Sequence, residues 1–207
     1  MTRLDSIPAT KTPVDAVRAE QIRQAVTVVQ TMPSSTGASR LAKVEDAAAL
    51  LEFLNDPKVH APIYTLPRPL TLQTVTAFIE QHVSERQRGV GLLFLSMEEG
   101  GAVSGYSDIQ VWPQWACGEL GGAIHPDRQS QGLGARGAFE SFKWMFDVLK
   151  LDRICETASY ENVRTAKMLD GMGLKRMGEV TSKRPDGSTR QSLVWEISEK
   201  DWRDIHG

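Results

Sequence analysis

The chain lacks most of the features that would announce a class. Only two cysteines, Cys117 and Cys155, occur in 207 residues, too few and too separated to staple a small scaffold or to build a zinc site. They are expected to be reduced core thiols without a catalytic part. No excess of one charge is present, since 24 basic residues face 26 acidic ones for a net charge of −2. That balance excludes a global field that would recruit nucleic acid or an acidic membrane, and leaves only local basic pockets. No apolar run is long enough to span a bilayer, and the N-terminus, with Arg3 as its early cation, lacks the apolar stretch of a secretory signal. A cytoplasmic protein is the expectation. Internal repeats and low-complexity tracts are missing too. What remains is 41% apolar residues, enough for one buried core with an appendage.

Thr12-Pro13 opens a helix expected over 13–31, with Thr12 as cap and Val14, Val17, Ala25, Val26 and Val29 on one side. Residues 33–37, Pro-Ser-Ser-Thr-Gly, read as a linker, so 1–37 form an N-terminal extension and 38–207 the domain proper. The helix could dock on the domain, mediate self-association as a homodimer, or stay partly ordered. A strand at 40–44 and a helix at 45–55, with Ala48, Leu51 and Leu54 inward, end at Asp56-Pro57. A proline-stiffened loop over 57–70 follows, and Thr71 caps a helix in which His82 is expected at the surface or edge. Strands at 90–97 and 102–111 pair around Glu98-Glu99-Gly100-Gly101. Trp112 and Trp115 then either wall a substrate cleft or pack against the sheet edge.

After a strand at 117–124 comes a glycine-bearing turn, and then a helix at 135–149 that buries Phe139, Phe142, Phe146 and Leu149. A strand at 153–158, a helix at 162–172 closed by Gly173, and a hairpin around Pro185-Asp186-Gly187 complete the chain. In that hairpin Leu193, Trp195 and Ile197 alternate. The sum is an α/β (α+β) domain: a mixed, mostly antiparallel central sheet flanked by helices, with an extra N-terminal helix.

The chemistry concentrates in the turn. A strand, a short glycine turn and a helix set unpaired N–H groups at the positive end of a helix, where phosphate is well held. Gly132, Gly134 and Gly137 spell G-x-G-x-x-G, with Glu156 nineteen positions on, so a dinucleotide fingerprint has to be weighed. Its context fails. Six residues separate strand from first glycine, the chain ends in an antiparallel hairpin, and Glu156 falls mid-strand. Gly137, inside the helix, is better explained by close packing.

Three places carry another pattern. They are Ser39-Arg40-Leu41 with Glu45-Asp46 and Asn55-Asp56-Pro57-Lys58-Val59; Gly118-Glu119-Leu120-Gly121 with Gln129-x-x-Gly132-x-Gly134; and Glu161-Asn162-x-x-Thr165-x-x-x-Leu169-x-x-x-Gly173-Leu174. Together with the order of elements they resemble the GNAT superfamily of N-acetyltransferases, over about residues 38–198, in its branch similar to the ribosomal-protein acetyltransferases RimJ and RimL. The resemblance implies acetyl-CoA as donor substrate, no metal, and a primary amine as acceptor, either a protein N-terminus or a small molecule.

Direct aminolysis of a thioester needs orientation, a base and oxyanion stabilisation but no enzyme nucleophile. By resemblance, the backbone of Gly122, Ala123 and Ile124 pairs with pantetheine through groups that any side chain could supply. The pyrophosphate lies over Gln129, Gln131, Gly132, Leu133, Gly134 and Ala135. Asn162 and Thr165 bind the cofactor arm, Asn162 also being a good N-cap, while Arg128, Arg136 and Lys167 are candidates for the ribose 3′-phosphate. Glu119 is the expected base, competing with a structural role against the neighbouring strand, and Glu156 is its reserve. The tyrosine that many members use as acid is replaced by Leu169, so Ser159, Tyr160 or water protonates the thiolate. A CoA-binding sensor or scaffold without catalysis is the alternative. The acceptor is expected to meet residues 57–70 and 112–115.

Overall fold

The computed structural model describes residues 7–34, 38–128, 132–183 and 187–207. Its strands are β1 (Ala38–Leu41), β2 (Gly91–Met97), β3 (Val103–Trp112), β4 (Cys117–Ile124), β5 (Arg153–Ser159), β6 (Lys175–Lys183) and β7 (Thr189–Ser198). They form one sheet in the order β1-β2-β3-β4-β5-β7-β6, antiparallel throughout except where β4 meets β5. That single parallel contact needs a crossover, which α5 (Leu133–Asp147) provides.

Helices cover both faces. In β2, Leu92 and Phe94 join the cluster containing Phe142, Met145 and Phe146 of α5, whereas Leu93 and Leu95 join the opposite one. A strand buried on both sides reads as an unbroken apolar run, as Gly-Leu-Leu-Phe-Leu does. The second cluster is built from α2 (Ala47–Leu54), α3 (Pro57–His60) and α4 (Leu72–Gln87). Thr71 caps α4 as its sequence predicts, accepting from Thr74 N while the Thr74 hydroxyl takes Thr71 N.

Four expectations shift. The first helix, α1, spans Ala16–Val28 and is capped by Asp15, which accepts from Arg18 N at 2.8 Å, not by Thr12. Val14 N is bonded to Gln114 O at 3.0 Å, so the residues before Asp15 are pinned to a neighbouring turn and cannot enter the helix. Its inward residues are Ala19, Ile22 and Val26, and Val17 is exposed. Ile22, Val26 and Met32 all lie in the α5-side core. In α2 the buried residues are Ala47, Leu50, Phe53 and Leu54, so Leu54 faces inward as expected and Leu51 packs beside the cluster, but Ala48 is exposed and Ala47, Leu50 and Phe53 carry the rest of the stripe.

His82 is not a surface histidine. It is 6% exposed, with Nδ1 at 2.8 Å from Phe78 O and Nε2 at 3.1 Å from Asp108 Oδ1. Burial alone would push its pKa down, but the Asp108 charge and hydrogen bond, the Phe78 carbonyl and Glu85 outweigh it and raise the pKa to about 9. The fourth difference is α6 (Val163–Gly171) being followed, after the β6–β7 pair, by a further helix, α7 (Glu199–His206), capped by Ser198. The hairpin tip expected at Pro185-Asp186 lies outside the described residues.

Candidate functional site

β4 and β5 pair only at Cys117/Arg153 and Gly118/Ile154, after which the ladder stops. β5 goes on pairing with β7 to Ser159, and β4 goes on pairing with β3 to Ile124, so the sheet splits between them. The opening is part of a cleft of about 850 Å³. Because alternate residues turn their N–H groups to the same side, and Leu120 N faces β5, the backbone of Leu120, Gly122 and Ile124 borders the gap.

Both conformation and space oppose a side chain at Gly122. Its φ is +148°, and a Cβ would stand 2.3 Å from Tyr106 O. This corrects the expectation that any side chain could supply that backbone position.

Downstream, Gly132 caps α5 with φ +75°, and the first intrahelical bond runs from Arg136 N to Gly132 O at 3.0 Å. The first-turn N–H groups of Leu133, Gly134 and Ala135 therefore have no carbonyl of their own helix to meet. A Cβ at Gly132 would meet nothing within 4 Å, and one at Gly134 only Ile124 Cδ1 at 3.9 Å. These glycines leave room beside the positive helix end for an anion. Gly132, Leu133, Gly134, Ala135, Ala123 and Ile124 all line the cleft, and so does Gly137, which was expected only to pack. Gln129 and Gln131 lie outside the described residues, as does the side chain of Arg128.

Asn162 caps α6 by accepting from Thr165 N at 3.1 Å, and both residues line the cleft. Arg136 is bonded to Glu140 at 2.9 Å, and neither it nor Lys167 lines the cleft. The cation beside Asn162 is instead Arg164, which sequence reasoning missed.

Two buried carboxylates face the gap. Glu119 is 3% exposed and accepts from the Thr157 hydroxyl at 2.8 Å; Glu156 accepts from Leu120 N at 2.9 Å. Glu119 is in register with Gln110, and its alternate neighbours pair with Asp108 and Tyr106. Tyr106 belongs to the α2–α4 core, so the Glu119 side chain points to that face, opposite α5 and α6. Cys117 and Cys155 pack beneath, both fully buried. Burial, the Cys117 hydrogen bond and the charges of Glu119 and Glu156 push the Cys155 thiol well up, away from a reactive thiolate.

Four expected residues, Ser159, Tyr160, Trp112 and Trp115, are not brought in. Ser159 and Tyr160 do not line the cleft, and the Tyr160 hydroxyl bonds Glu179 on β6, which raises its pKa. Trp112 packs under the sheet with Cys117, Cys155 and Val194, and neither it nor Trp115 borders the cleft. Leu169, where the resemblance would place a tyrosine, is wholly buried in the core. The loop after α3 does contribute, through Pro62, Ile63, Tyr64 and Thr65, along with Lys58 and Val59 of α3. Among the described residues there is no group of His, Cys, Asp or Glu suited to a metal ion, and no helix long and apolar enough to cross a membrane.

The pattern of the acetyltransferase (GNAT) domain matches residues 40–175. Among solved structures, the chain is similar to the ribosomal-protein-S5-alanine acetyltransferase from Vibrio fischeri, with 19% identity, a TM-score of 0.68, and coverage of 84% of this chain and 98% of that one. RimJ from Mycobacterium smegmatis, solved in complex with CoA-disulfide, gives 18% identity and a TM-score of 0.67, covering 81% of this chain and 85% of that one. An acetyltransferase of the GNAT family from Bacillus anthracis gives 18% and 0.63, covering 82% and 98%. At these identities the likeness is one of fold. No curated protein matches the chain.

Proposed function

The chain belongs to the GNAT acetyltransferase family, and from that premise we propose that it transfers acetyl from acetyl-CoA to a primary amine by direct aminolysis, within the RimJ/RimL-like branch. The observation that carries this reading is the split between β4 and β5, which opens a backbone edge beside the glycine-bearing start of α5. Residues present there suit CoA. Past Leu120, whose N–H is held by Glu156, the β4 backbone runs beside the gap where an extended amide-bearing arm would lie, the first turn of α5 turns its dipole to pyrophosphate, and Arg164 adds a cation. Asn162 and Thr165 border the same arm.

Glu119 is the base in this reading. It takes the proton of the ammonium, directly or through water; the amine nitrogen then bonds the thioester carbon and the C–S bond breaks. The departing thiolate is protonated by water, an assignment supported by the engagement of Tyr160 with Glu179 and by the burial of Leu169. The Gly122 N–H on the β4 edge is the donor proposed for the developing oxyanion.

Following thiol release from acetyl-CoA across a panel of amines tests the reading. Glu119→Gln keeps an acceptor oxygen for Thr157, so the fold is retained while turnover drops by about 100-fold or more. The burial of Leu169 favours one rival, a CoA-binding module without catalysis. Stabilisation by acetyl-CoA with no turnover above the Glu119→Gln background establishes that rival instead.

A further inference from the structure

The β4–β5 ladder ends at Gly118/Ile154, and a side chain ends it. Its two pairs, Cys117/Arg153 and Gly118/Ile154, are each 36 positions apart, so the same register continued would set Leu120 opposite Glu156. Alternation puts the N–H groups of Gly118, Leu120 and Gly122 on the β5 side. The Leu120 N–H is taken there by Glu156 Oε1 at 2.9 Å, the side chain of the residue that the register would pair with it. A backbone ladder cannot pass a rung whose donor is already held.

Glu156 alternates along β5 with Ile154 and Ala158 of the α5-side core, so its carboxylate comes from that face. From the opposite face the Thr157 hydroxyl donates to Glu119 Oε1 at 2.8 Å. Two side-chain bridges, each on a buried carboxylate, therefore close one end of the gap. The other end opens at Ile124 toward the start of α5, where the pyrophosphate is proposed to lie. An acyl-CoA arm entering from there points its acyl tip at Leu120 and Glu156, which both line the cleft.

We propose that Glu156 determines how deeply the acyl group is seated. By holding Leu120 N–H it stops the ladder, forms the floor of the gap, and leaves Gly122 N–H as the first β5-facing donor for the thioester carbonyl. This rests on the acyl-CoA part of the reading above, and gives Glu156 a positioning and specificity role in place of that of a reserve base.

The test combines backbone amide exchange in the full chain with affinities and kcat/KM for acetyl-CoA and butyryl-CoA. In the unsubstituted protein Leu120 N–H should be protected before any ligand is added, and acetyl-CoA should add protection at Gly122 while leaving Leu120 unchanged. Glu156→Gln keeps an acceptor oxygen for Leu120, so acetyl-CoA affinity, kcat and the pH profile should stay within about threefold of the unsubstituted protein. Glu156→Ala removes the floor, so the preference for acetyl-CoA over butyryl-CoA should fall by about tenfold or more, as two methylenes are worth in a closed pocket. Lost stability alone would not move that ratio. Leu120 protected only after acetyl-CoA is added, or no gain at Gly122, overturns the inference. So does a loss of about 100-fold in kcat for Glu156→Gln with affinity kept, which would make Glu156 the base, and so does an unchanged ratio in a folded Glu156→Ala. If that variant does not fold, the exchange pattern of the unsubstituted protein decides. Absence of turnover on every amine, with that pattern as expected, removes the transferase reading and leaves the seating of the acyl group standing.

Discussion

On the α5 and α6 side of the cleft the proposed donor contacts are largely to backbone, whereas the α3 side is lined by residues drawn from separate elements. On the first side stand the β4 edge and the opening turn of α5, where glycine allows close approach. On the second stand Glu119 from β4, Lys58 from α3, Tyr64 from a loop and Arg190 from β7. Behind that side His82 of α4 is locked to Asp108 of β3. The difference teaches what each half can tolerate. A backbone-built site fails by steric intrusion and is indifferent to pH, while a side-chain-built site fails when a charge or partner is lost.

The largest test of this contrast is His82→Ala. Removing one partner of a buried pair leaves Asp108 in the interior without its imidazole, at a cost of about 3 to 5 kcal/mol. Melting should fall by roughly 10 °C in a chain of this size. The pH dependence gives the same contrast without that loss of packing. The folded pKa of His82, about 9, lies above the ordinary 6.5, so the protonated pair's stabilisation is fully present below pH 6.5 and is lost as pH rises through 9. Between those limits stability should decline by about 1.4 kcal/mol per pH unit, about 3 kcal/mol in all. Denaturant unfolding at pH 6 and pH 9.5 measures it, and His82→Ala should flatten that slope. A slope that persists in the variant would place the titrating group elsewhere.

Gly122→Ala probes the backbone half. With φ at +148° and Tyr106 O at 2.3 Å from the new Cβ, both strain and overlap oppose it, and a loss of about 3 kcal/mol is expected. Unlike the His82 effect, this loss should be the same at pH 6 and pH 9.5. A substitution without loss would mean that β3 and β4 part easily at this point.

The contrast also explains what could be read from the sequence. β4 was legible to the residue, Cys117–Ile124, and the glycine turn before α5 was legible as a turn, because glycine at fixed spacing is a statement about backbone, although α5 starts at Leu133 and not at the expected Ala135. Asn162 was legible for a similar reason, being a cap. His82 was not, since its partner is 26 positions away and nothing local distinguishes a buried histidine from an exposed one. Arg190 was hidden likewise, its proximity to the site being created by the fold, whereas Lys58 lies within the 57–70 segment expected to meet the acceptor. The phase of α2 was misread because Ala-Ala-Ala-Leu-Leu-Glu-Phe-Leu is apolar nearly all round, so periodicity cannot choose a face. α7 had a local signal, Ser198 three residues before Asp201, whose amide it caps at 3.0 Å.

Gly134→Ala separates binding from folding within the backbone half. The position is helical, with its nearest neighbour at 3.9 Å, so alanine fits and should raise stability by about 0.5 to 1 kcal/mol. The same methyl stands where the phosphate is proposed to approach, so KM for acetyl-CoA should rise by about tenfold, the worth of one charge-assisted contact. A rise in melting temperature with unchanged KM would move the pyrophosphate off this turn.

Tyr160→Phe should have the smallest effect, and its smallness is informative. The sequence offered Tyr160 as a proton donor to the leaving thiolate, yet the residue is 45% exposed and its hydroxyl is engaged by Glu179 outside the cleft. A surface hydroxyl with that partner changes stability little, and if water protonates the thiolate then kcat should stay within about twofold. The pH profile separates the two cases further. A catalytic tyrosine would impose an alkaline limb on kcat that phenylalanine abolishes, whereas a limb left unchanged, or absent in both proteins, assigns the proton to solvent. A fall of tenfold or more would mean that β6 and the start of α6 move on donor binding so that the hydroxyl leaves Glu179 for the thiolate. The second half of the cleft would then include a residue that only a conformational change delivers.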